Sequence, residues 1–375
     1  MADTLALFFN GGFMRILLLS AYDADSHVYW RKGLVEHLNE HEWTVLSLPG
    51  RYFSWRMRGN SLSWAFNERE TLSQPYDLVV ATSMTDLSAL RGFVPSLAQI
   101  PALVYFHENQ FAYPESGKAF KTVEPCILNL YTALAADYCL FNSEYNRQTL
   151  LDGAKALLKK MPDQVPANLI ERIRDNSSVL SVPIKSDSYQ IHSPVSDEVH
   201  IVWNHRWEYD KNPQLLLDAV EQLIQKRKDF KLHVVGQQFR KVPEQFEQLR
   251  VLLGDCAGEW GYLSSREDYL ALLRKADVVL STAVHDYQGI AVLEGVASGA
   301  EPLVPERLAY RELFPEACRY KEESEAEVLA ERLDQLVERK YAGEWGEQVN
   351  VDRFKWAILA DQYRRHFERL ARKKG

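Results

Sequence analysis

The chain has 375 residues, 46% of them hydrophobic, and a formal net charge of -8 at neutral pH. This length exceeds that of one ordinary doubly wound domain, so we expect two domains with separate cores. The acidic balance argues against indiscriminate binding of polyanions, so any nucleic-acid partner requires a local basic surface.

The beginning of the chain carries no targeting signal. Residues 1–13 lack the basic start and the small-residue cleavage site of a signal peptide, and Met14 opens a strand directly. Nowhere does an apolar run approach the length that a membrane span needs. We therefore predict that residues 1–13 are a disordered leader or the product of an upstream start, and that the protein is cytoplasmic and without a membrane span.

Short apolar runs alternate with helical or mixed segments in the first half of the chain. Such runs, ending in polar residues, are typical of buried parallel strands. A helix is expected at about residues 29–39. The alternation predicts a parallel sheet covered on both faces, in a domain of residues 14–185. The runs cover residues 14–20, 43–48, 78–82, 102–106 and 138–141.

Residues 184–199 are polar and without periodicity, so we place the domain boundary there. A second alternation follows, in which Asn212 caps an amphipathic helix that begins at Pro213. It predicts another open α/β domain over residues 200–350, and a final amphipathic helix over residues 351–375 that crosses between the domains. The strand-like runs of this half cover residues 201–204, 232–235, 278–281 and 302–304.

Two carboxylates flank a glycine that opens an apolar helix near the end of the second domain. Seven residues separate Asp286 from Glu294, and Gly289 is one of them. A helix N-terminus that begins at glycine offers unpaired N–H groups to an anion, while carboxylates accept hydrogen bonds from sugar hydroxyls. The pattern favours a ligand that is both phosphorylated and polyhydroxylated, such as a nucleotide sugar.

A loop between a predicted strand and the Asn212 helix carries Arg206 and Lys211. A pyrophosphate there would meet a guanidinium, an ammonium and a second helix N-terminus. The alternative is a surface loop whose basic residues are simply solvated. Combined with the Gly289 helix, the phosphate role is favoured.

Arginines and aromatic residues are interleaved along residues 51–66. This mixture suits unpaired RNA bases and phosphates, but it also fits an amphipathic segment whose rings belong to the core. Composition alone leaves both interpretations open. The residues concerned are Arg51, Arg56 and Arg58 with Tyr52, Phe53, Trp55 and Trp64.

Five long, aromatic-rich stretches together resemble one family, the tRNA-queuosine mannosyltransferases, which are retaining glycosyltransferases of the GT-B fold. That resemblance implies two Rossmann-like domains whose sheets face each other across a cleft. It implies GDP-mannose as donor and queuosine in the anticodon of a tRNA of the tRNA-Asp type as acceptor. The stretches are SAYDADSHVYWRKGL, LPGRYFSWRMRGNSLSWAF, YFHENQFAYP, FNSEYNRQTLL and WNHRWEYDKNP.

The resemblance also implies roles at individual positions of the donor site. Arg206 and Lys211 would stabilise the departing diphosphate, Glu294 would hold the donor ribose, and Asp286 would contact the transferred sugar. Two departures stand out, since the general pattern has Glu where this chain has Asp286 and an aromatic residue where it has Gln288. Donor contacts are further expected at Gly236, Tyr262, Gln288, Gly289 and Ile290.

On the acceptor side, the resemblance makes His107 a contact near the reacting sugar, although a polar loop with a backbone-bonded histidine is the plainer alternative. Glu108 and Asn109 are candidates for binding acceptor hydroxyls. Ser26 and His27 are expected in the loop after the first strand, which such folds bring toward the donor. With tRNA as the implied partner, RNA contact is favoured for Arg51, Trp55, Arg56 and Arg58.

Two short motifs raise metal binding and are set aside. The Asp23-Ala24-Asp25 run resembles the metal-binding carboxylates of another glycosyltransferase fold, but Arg206, Lys211 and helix dipoles can replace a cation, so an exposed loop or N-cap is expected. The His37-to-His41 run has the H-x-x-E-H spacing of zinc peptidases, yet the helix ends there, a strand begins, and no further acidic ligand is indicated. We expect no metal and no cofactor.

Three hypotheses follow from these patterns. The first is a metal-independent, retaining transferase that moves mannose to tRNA queuosine. The second is a related nucleotide-sugar transferase that acts on a lipid, a polysaccharide or a small molecule. The third, suggested by Asp286 in place of Glu, is a protein that binds nucleotide sugars without transferring them.

Overall fold

The structure, a computed structural model, describes residues 12–113, 122–190, 198–344 and 348–372. The predicted leader lies outside these residues except for its last two positions, and so does the central part of the predicted boundary segment. By internal contacts the chain divides into two compact units. The first contains the described residues up to Asn142, Asn146–Leu180 and those from Ala357 onward, and the second contains Ser143–Tyr145 and Ser181–Trp356.

The first unit is built on a six-stranded parallel sheet. Its strands are β1 (Arg15–Asp23), β2 (Glu42–Pro49), β3 (Leu78–Thr82), β4 (Ala102–Phe106), β5 (Tyr138–Phe141) and β6 (Ser177–Val179). They lie in the order β2-β1-β3-β4-β5-β6, and every neighbouring pair is parallel. Every residue of β3 and β4 is buried, which explains why their sequences are continuously apolar rather than alternating.

Helices follow these strands along the first part of the chain. They are α1 (Asp25–His37), α2 (Phe53–Asn67), α3 (Arg69–Leu72), α4 (Leu87–Phe93), α5 (Glu124–Ala135), α6 (Glu144–Leu158) and α7 (Leu169–Asp175). The start of α1 corrects one expectation, since Ser26 and His27 lie in its first turn and not in a loop. Ala24 is the extended cap residue, and Asp25 supplies the negative charge that a helix N-terminus favours.

The second unit also contains a six-stranded parallel sheet. Its strands are β7 (Val199–Trp203), β8 (Phe230–Val235), β9 (Ala257–Gly261), β10 (Val278–Leu280), β11 (Glu301–Pro305) and β12 (Arg319–Tyr320), in the order β12-β11-β10-β7-β8-β9. Its helices are α8 (Pro213–Lys226), α9 (Gln245–Leu253), α10 (Arg266–Lys275), α11 (Ile290–Ala297), α12 (Tyr310–Leu313) and α13 (Glu325–Tyr341). Two open parallel sheets flanked by helices confirm the predicted pair of Rossmann-like domains.

The last helix, α14 (Trp356–Arg372), returns to the first unit. Its apolar stripe is buried there, with Tyr363 and Phe367 fully inaccessible to solvent. The indole Nε1 of Trp30 in α1 donates to the Tyr363 hydroxyl at 3.1 Å, and the rings of Trp43 and Phe367 lie 6.1 Å apart. The final helix therefore completes the core of the unit that begins the chain.

Among the described residues, no helix has both the length and the apolar character that a bilayer crossing demands.

Candidate functional site

The loop between β7 and α8 holds the two predicted phosphate-binding residues. Arg206 is partly exposed and forms ion pairs with Glu208 and with Asp210, the latter at 3.4 Å. Lys211 is buried and lies 3.5 Å from the same Asp210 carboxylate. Asn212 follows in a left-handed conformation and its side chain accepts from the N–H of Leu215, which confirms the predicted cap.

Lys211 reaches across to the loop after β10. Its Nζ donates to the carbonyl oxygen of His285 at 2.6 Å and lies 3.4 Å from Oδ2 of Asp286. Burial alone would raise the pKa of Asp286, but the Lys211 ammonium and the Gly289 N–H lower it to about 2. Asp286 is therefore ionised at neutral pH and paired with Lys211.

The start of α11 adjoins the same carboxylate. Gly289 is the cap residue with φ of +69°, and its N–H donates to Oδ1 of Asp286 at 2.8 Å. The Tyr310 hydroxyl donates to Oδ2 at 3.2 Å. The predicted Arg206, Lys211, Asp286 and Gly289 thus form one connected group, in which Asp286 accepts one backbone N–H, that of Gly289, at the start of α11.

Glu294 lies on α11 and accepts hydrogen bonds from residues that the sequence did not single out. Arg266 approaches its Oε1 at 2.7 Å, the Tyr269 hydroxyl donates to Oε2 at 3.2 Å, and Ser188 lies 3.5 Å from Oε1. These partners come from α10 and from the turn before β7, so no fixed spacing in the sequence announces them. They hold the carboxylate in one place.

The other predicted donor-side residues differ in what their side chains do. A Cβ on Gly236, whose φ is +154°, would overlap the carbonyl oxygen of His205, so only glycine fits at this close approach. Tyr262 is exposed, and Ile290 opens α11 half-buried. Gln288 is buried. Its side-chain oxygen accepts from the N–H of Val182 and its side-chain nitrogen donates to the carbonyl oxygen of Val182, both at 2.8 Å, so this amide is already paired within the protein.

In the first unit, His107 lies directly after β4 at the carboxyl edge of the sheet. Its ring stacks on that of His27 with centroids 4.2 Å apart, and its Nε2 has no hydrogen-bond partner among the described residues. Burial, followed by the proximity of His27, lowers the pKa of His107 well below its ordinary value. A neutral imidazole with an open nitrogen therefore stands at the edge where such sheets bind ligands.

Glu108 is held by two side chains from neighbouring strands and helices. His27 Nε2 lies 3.0 Å from its Oε2, and the Ser83 hydroxyl donates to Oε1 at 2.9 Å. Ser26, the residue before buried His27, is exposed. Asn109 has no exposed surface, and its amide donates to the backbone and side chain of Asn146, so its role is internal.

The interleaved arginines and aromatic residues lie on and before α2. Trp64 is buried, as the core interpretation requires, but Trp55 is 54% exposed. Gly59 lies beneath the indole of Trp55, since a Cβ there would overlap its ring atoms. Arg58 forms ion pairs with Asp86 at 3.0 Å and Glu124 at 2.5 Å. Arg51 is exposed, and Arg56 is half-buried.

Neither motif that raised metal binding assembles a cluster. Asp23 is the last residue of β1 and forms an ion pair with Arg31 at 2.6 Å, so of the two expected roles the exposed loop is wrong for it, while Ala24 of the same run is the cap residue of α1. His37 bonds to the backbone of Gly33, while His41 is buried. Across the part of the chain that the structure describes, no three His, Cys, Asp or Glu side chains are grouped to hold a metal.

Comparison with known proteins gives two family matches in tandem. Residues 15–184 match the family described as tRNA-queuosine alpha-mannosyltransferase N-terminal, and residues 186–350 match glycosyl transferases group 1. The tRNA-queuosine alpha-mannosyltransferase of Drosophila melanogaster is 32% identical over 363 residues, which cover 93% of this chain and 95% of the fly protein.

Solved structures resemble the chain at low identity. Anabaena Alr3699/HepE in complex with UDP superposes with a TM-score of 0.67 at 13% identity, covering 96% of this chain and all of that one. A UDP-forming trehalose-phosphate synthase from Burkholderia xenovorans gives 0.66 at 13% identity, with 96% and 100% coverage. At such identities these likenesses bear on the fold alone.

Proposed function

The chain belongs to the tRNA-queuosine alpha-mannosyltransferase family, has the GT-B fold and is a hexosyltransferase, and on this premise we propose that it transfers mannose from GDP-mannose to queuosine. The acceptor queuosine would lie in the anticodon of a tRNA of the tRNA-Asp type. We further propose that transfer retains the configuration of the anomeric carbon, takes place in the cytoplasm, and requires no resident metal.

The connected group around Asp286 carries this proposal. Lys211, Arg206 and the N-terminus of α11 are the positive groups that a diphosphate requires, and they lie beside carboxylates that can accept from hydroxyls. Each charge-assisted hydrogen bond to a phosphate oxygen contributes about 1.5 to 3 kcal/mol. An array of this kind is suited to a ligand in which phosphates and a sugar are neighbours.

The proposed step exchanges one bond for another on the same face of the sugar. The bond between the anomeric carbon and the β-phosphate oxygen breaks while the acceptor hydroxyl oxygen bonds to that carbon. The hydroxyl proton passes to the departing phosphate oxygen, and GDP leaves. Lys211, Arg206 and the α11 terminus stabilise the negative charge that develops on the diphosphate, which lowers the barrier.

Metal independence rests on this same supply of positive charge. A nucleotide-sugar diphosphate in many enzymes is neutralised by a divalent cation. Here the ammonium of Lys211 is already buried next to the site, where its field is less screened than at the surface. The measurement is turnover in the presence of a chelator, which should match turnover with added Mg²⁺ or Mn²⁺.

The acceptor side of the proposal rests on the first unit. Glu108 at the carboxyl edge of β4 is fixed by His27 and Ser83 and suits an acceptor hydroxyl. Exposed Trp55 and Arg51 provide a flat ring and a positive charge, the combination that unpaired RNA bases and phosphates bind. We assign RNA contact to this face of α2 and the loop before it.

Mass analysis of tRNA nucleosides tests the proposed reaction. Queuosine-containing tRNA is incubated with the protein in four separate reactions, which contain GDP-mannose, GDP-glucose, UDP-glucose or UDP-galactose. We expect the queuosine nucleoside to gain the mass of one hexose with GDP-mannose and not with the UDP sugars. Identical tRNA that carries guanosine at the same position is the matched control, and a hexose gain on it would contradict the assigned acceptor.

The ion pairs of Arg58 favour one competing function. Because Arg58 is already engaged by Asp86 and Glu124, the basic face is weaker than its sequence indicates, and a lipid, polysaccharide or small-molecule acceptor is the alternative. A salt titration of tRNA binding separates the two. RNA binding should weaken steeply with salt, and Arg51→Ala should flatten that slope; affinity independent of salt supports the alternative.

A further inference from the structure

Four buried polar atoms without a hydrogen-bond partner are concentrated in the loop that carries Arg206. They lie within seven consecutive residues, close to the connected group around Asp286. Buried polar groups are almost always paired, so an unpaired one calls for a ligand or an ordered water. The atoms are Asn204 Oδ1, His205 Nε2, Trp207 Nε1 and Asp210 Oδ1.

His205 is the member of this set whose chemistry is best defined. Its imidazole donates to the backbone carbonyl of Leu280, while Nε2 has no partner among the described residues. The donated proton therefore sits on Nδ1. In a neutral imidazole with that tautomer, Nε2 is a lone-pair acceptor and cannot bind a phosphate oxygen that has no proton to give.

The ring is fixed in place and kept neutral. His205 is only 3% exposed, and the indole of Trp203 packs edge-on against its ring with centroids 5.1 Å apart. Gly236 lies so close to the His205 backbone that a Cβ there would overlap the carbonyl oxygen. Burial lowers the pKa of His205 to about 3, and the charge of Lys211 acts in the same direction. The protein thus places a permanent acceptor among cationic donors, which complements a ligand that has hydroxyls next to phosphates.

We propose that Nε2 of His205 accepts a hydrogen bond from a hydroxyl of the hexose in the nucleotide-sugar donor, and so helps to select the sugar. The inference rests on the proposed function and adds a residue to which neither the family pattern nor the motif analysis gave a role. His205 shares its loop with Lys211, whose Nζ lies 3.4 Å from Oδ2 of Asp286, the residue to which the family resemblance gives the contact with the transferred sugar. Glu294 is instead held by Arg266, Tyr269 and Ser188.

Isothermal titration of GDP and GDP-mannose against three proteins tests the proposal. The proteins are wild type, His205→Phe, which keeps a flat ring without an acceptor, and His205→Gln, whose side-chain oxygen can reach the position of Nε2. We expect the phenylalanine variant to lose about tenfold in affinity for GDP-mannose relative to GDP, because a hexose hydroxyl loses its partner. The glutamine variant should recover most of that loss.

Monodeoxy-mannose donors identify the hydroxyl and keep the test independent of one variant's folding. Wild type should discriminate against one deoxy donor, and a variant lacking the acceptor should not discriminate at that same position. Thermal unfolding of each variant without ligand checks its fold. If the phenylalanine variant does not fold, the deoxy donors are compared on wild type and His205→Gln alone. Wild type must then discriminate against one deoxy donor, and the glutamine variant must retain that preference.

Two failures are distinguishable. If wild type binds no nucleotide sugar, the proposed function itself falls. If wild type binds and transfers mannose but His205→Phe leaves the ratio of the two affinities unchanged, or wild type is indifferent to every deoxy donor, Nε2 is satisfied by water and only this inference is overturned.

Discussion

At the scale of single residues, the proposed donor site consists of charges that neutralise one another. Lys211 lies between Asp210 and Asp286, and Arg206 shares Asp210 with it. Removing one of these basic residues takes away positive charge that would stabilise the diphosphate, which lowers the rate. It also leaves a carboxylate without its partner, which lowers the free energy of unfolding. The two effects separate because Lys211 is buried while Arg206 is 43% exposed along its side chain.

Arg206→Ala should lower kcat at saturating donor by about a hundredfold to a thousandfold, because one donor to the developing charge is lost. The free energy of unfolding should change little, since ion pairs that are partly exposed contribute about 0 to 1 kcal/mol. Steady-state kinetics and urea unfolding measure both. Lys226→Ala, an exposed lysine at the end of α8, is the control, and an unchanged kcat for Arg206→Ala contradicts the proposal.

The pairing of His27 with Glu108 predicts a pH-dependent stability. Burial opposes protonation of His27, but the charge of Glu108 and their hydrogen bond outweigh it and raise the pKa. The resulting stabilisation is present in full below the unfolded pKa of about 6.5 and is lost as pH rises through the higher folded pKa.

Unfolding free energies of wild type and Glu108→Gln across this pH window measure the effect. The difference between the two proteins should shrink as pH rises, because the imidazole loses its charge. A difference that grows with pH would show that the pair is not ionic. Glu36→Gln, on the same helix as His27, is a control that leaves the pair intact.

At the scale of elements, α11 depends on its first residue. Gly289 has φ of +69°, and a Cβ there would lie 2.7 Å from Cε1 of Tyr310, whose hydroxyl donates to Asp286. Gly289→Ala should therefore cost about 1 to 3 kcal/mol of stability from backbone strain and displace Tyr310. Activity should fall more than the loss of folded protein explains.

Gly343→Ala separates these two contributions. Gly343 also has a positive φ, of +72°, but nothing lies within 4 Å of the position of its Cβ. It should share the backbone strain and keep full activity. Urea unfolding and donor affinity measure the comparison, and equal losses of activity in the two variants would leave the contact with Tyr310 without a role.

The face of α2 around Trp55 gives a prediction for RNA binding. Gly59 lets the exposed indole lie along the helix, so one ring face is covered and the other is open. Gly59→Ala should displace the ring and weaken tRNA binding, as Trp55→Ala should, because stacking of a base contributes about 1 to 3 kcal/mol. Neither change should alter donor affinity.

Fluorescence anisotropy with labelled tRNA and calorimetry with GDP-mannose measure these effects. Val251→Ala, at an exposed apolar residue of α9 and away from this face, is the control. Unchanged tRNA affinity in both the Gly59 and the Trp55 variants would remove this face from the RNA site.

Elements with a strong local pattern were predictable, and those defined by distant contacts were not. β3, β4 and β7 are apolar runs because both faces of their sheets are covered, and Asn212 with Pro213 announces α8. In contrast, β6, β9 and β12 lie at the edges of their sheets and carry no continuous apolar run. β6, for example, consists only of Ser177–Val179. In the site, Lys211 and Gly289 carry a local signal, but Arg266 and Tyr269 meet Glu294 only through tertiary structure.

At the scale of the whole molecule, α14 belongs to the unit at the other end of the sequence. Residues 12–185 produced alone should be poorly folded, because the surface that packs against Tyr363, Phe367 and Leu370 would be exposed. A peptide of residues 352–372 added in trans should restore dispersed amide resonances in NMR spectra. A fragment that folds fully without the peptide contradicts this dependence.

Tyr363→Phe tests the same contact inside the intact chain. It removes the acceptor of the buried Trp30 Nε1 and should cost about 1 to 3 kcal/mol in urea unfolding. Arg365→Ala, exposed on the outer face of α14, should leave the free energy of unfolding nearly unchanged.

The return of α14 to the first unit sets an order for events on the ribosome. Domains generally fold as they emerge, with the N-terminal one first. In this protein the first unit cannot complete its core until residues beyond 356 have been translated. The second unit, which ends at Trp356, can fold before them. The incomplete first unit of the nascent chain is therefore exposed to chaperones and proteases, and slow codons placed before α14 would prolong that exposure.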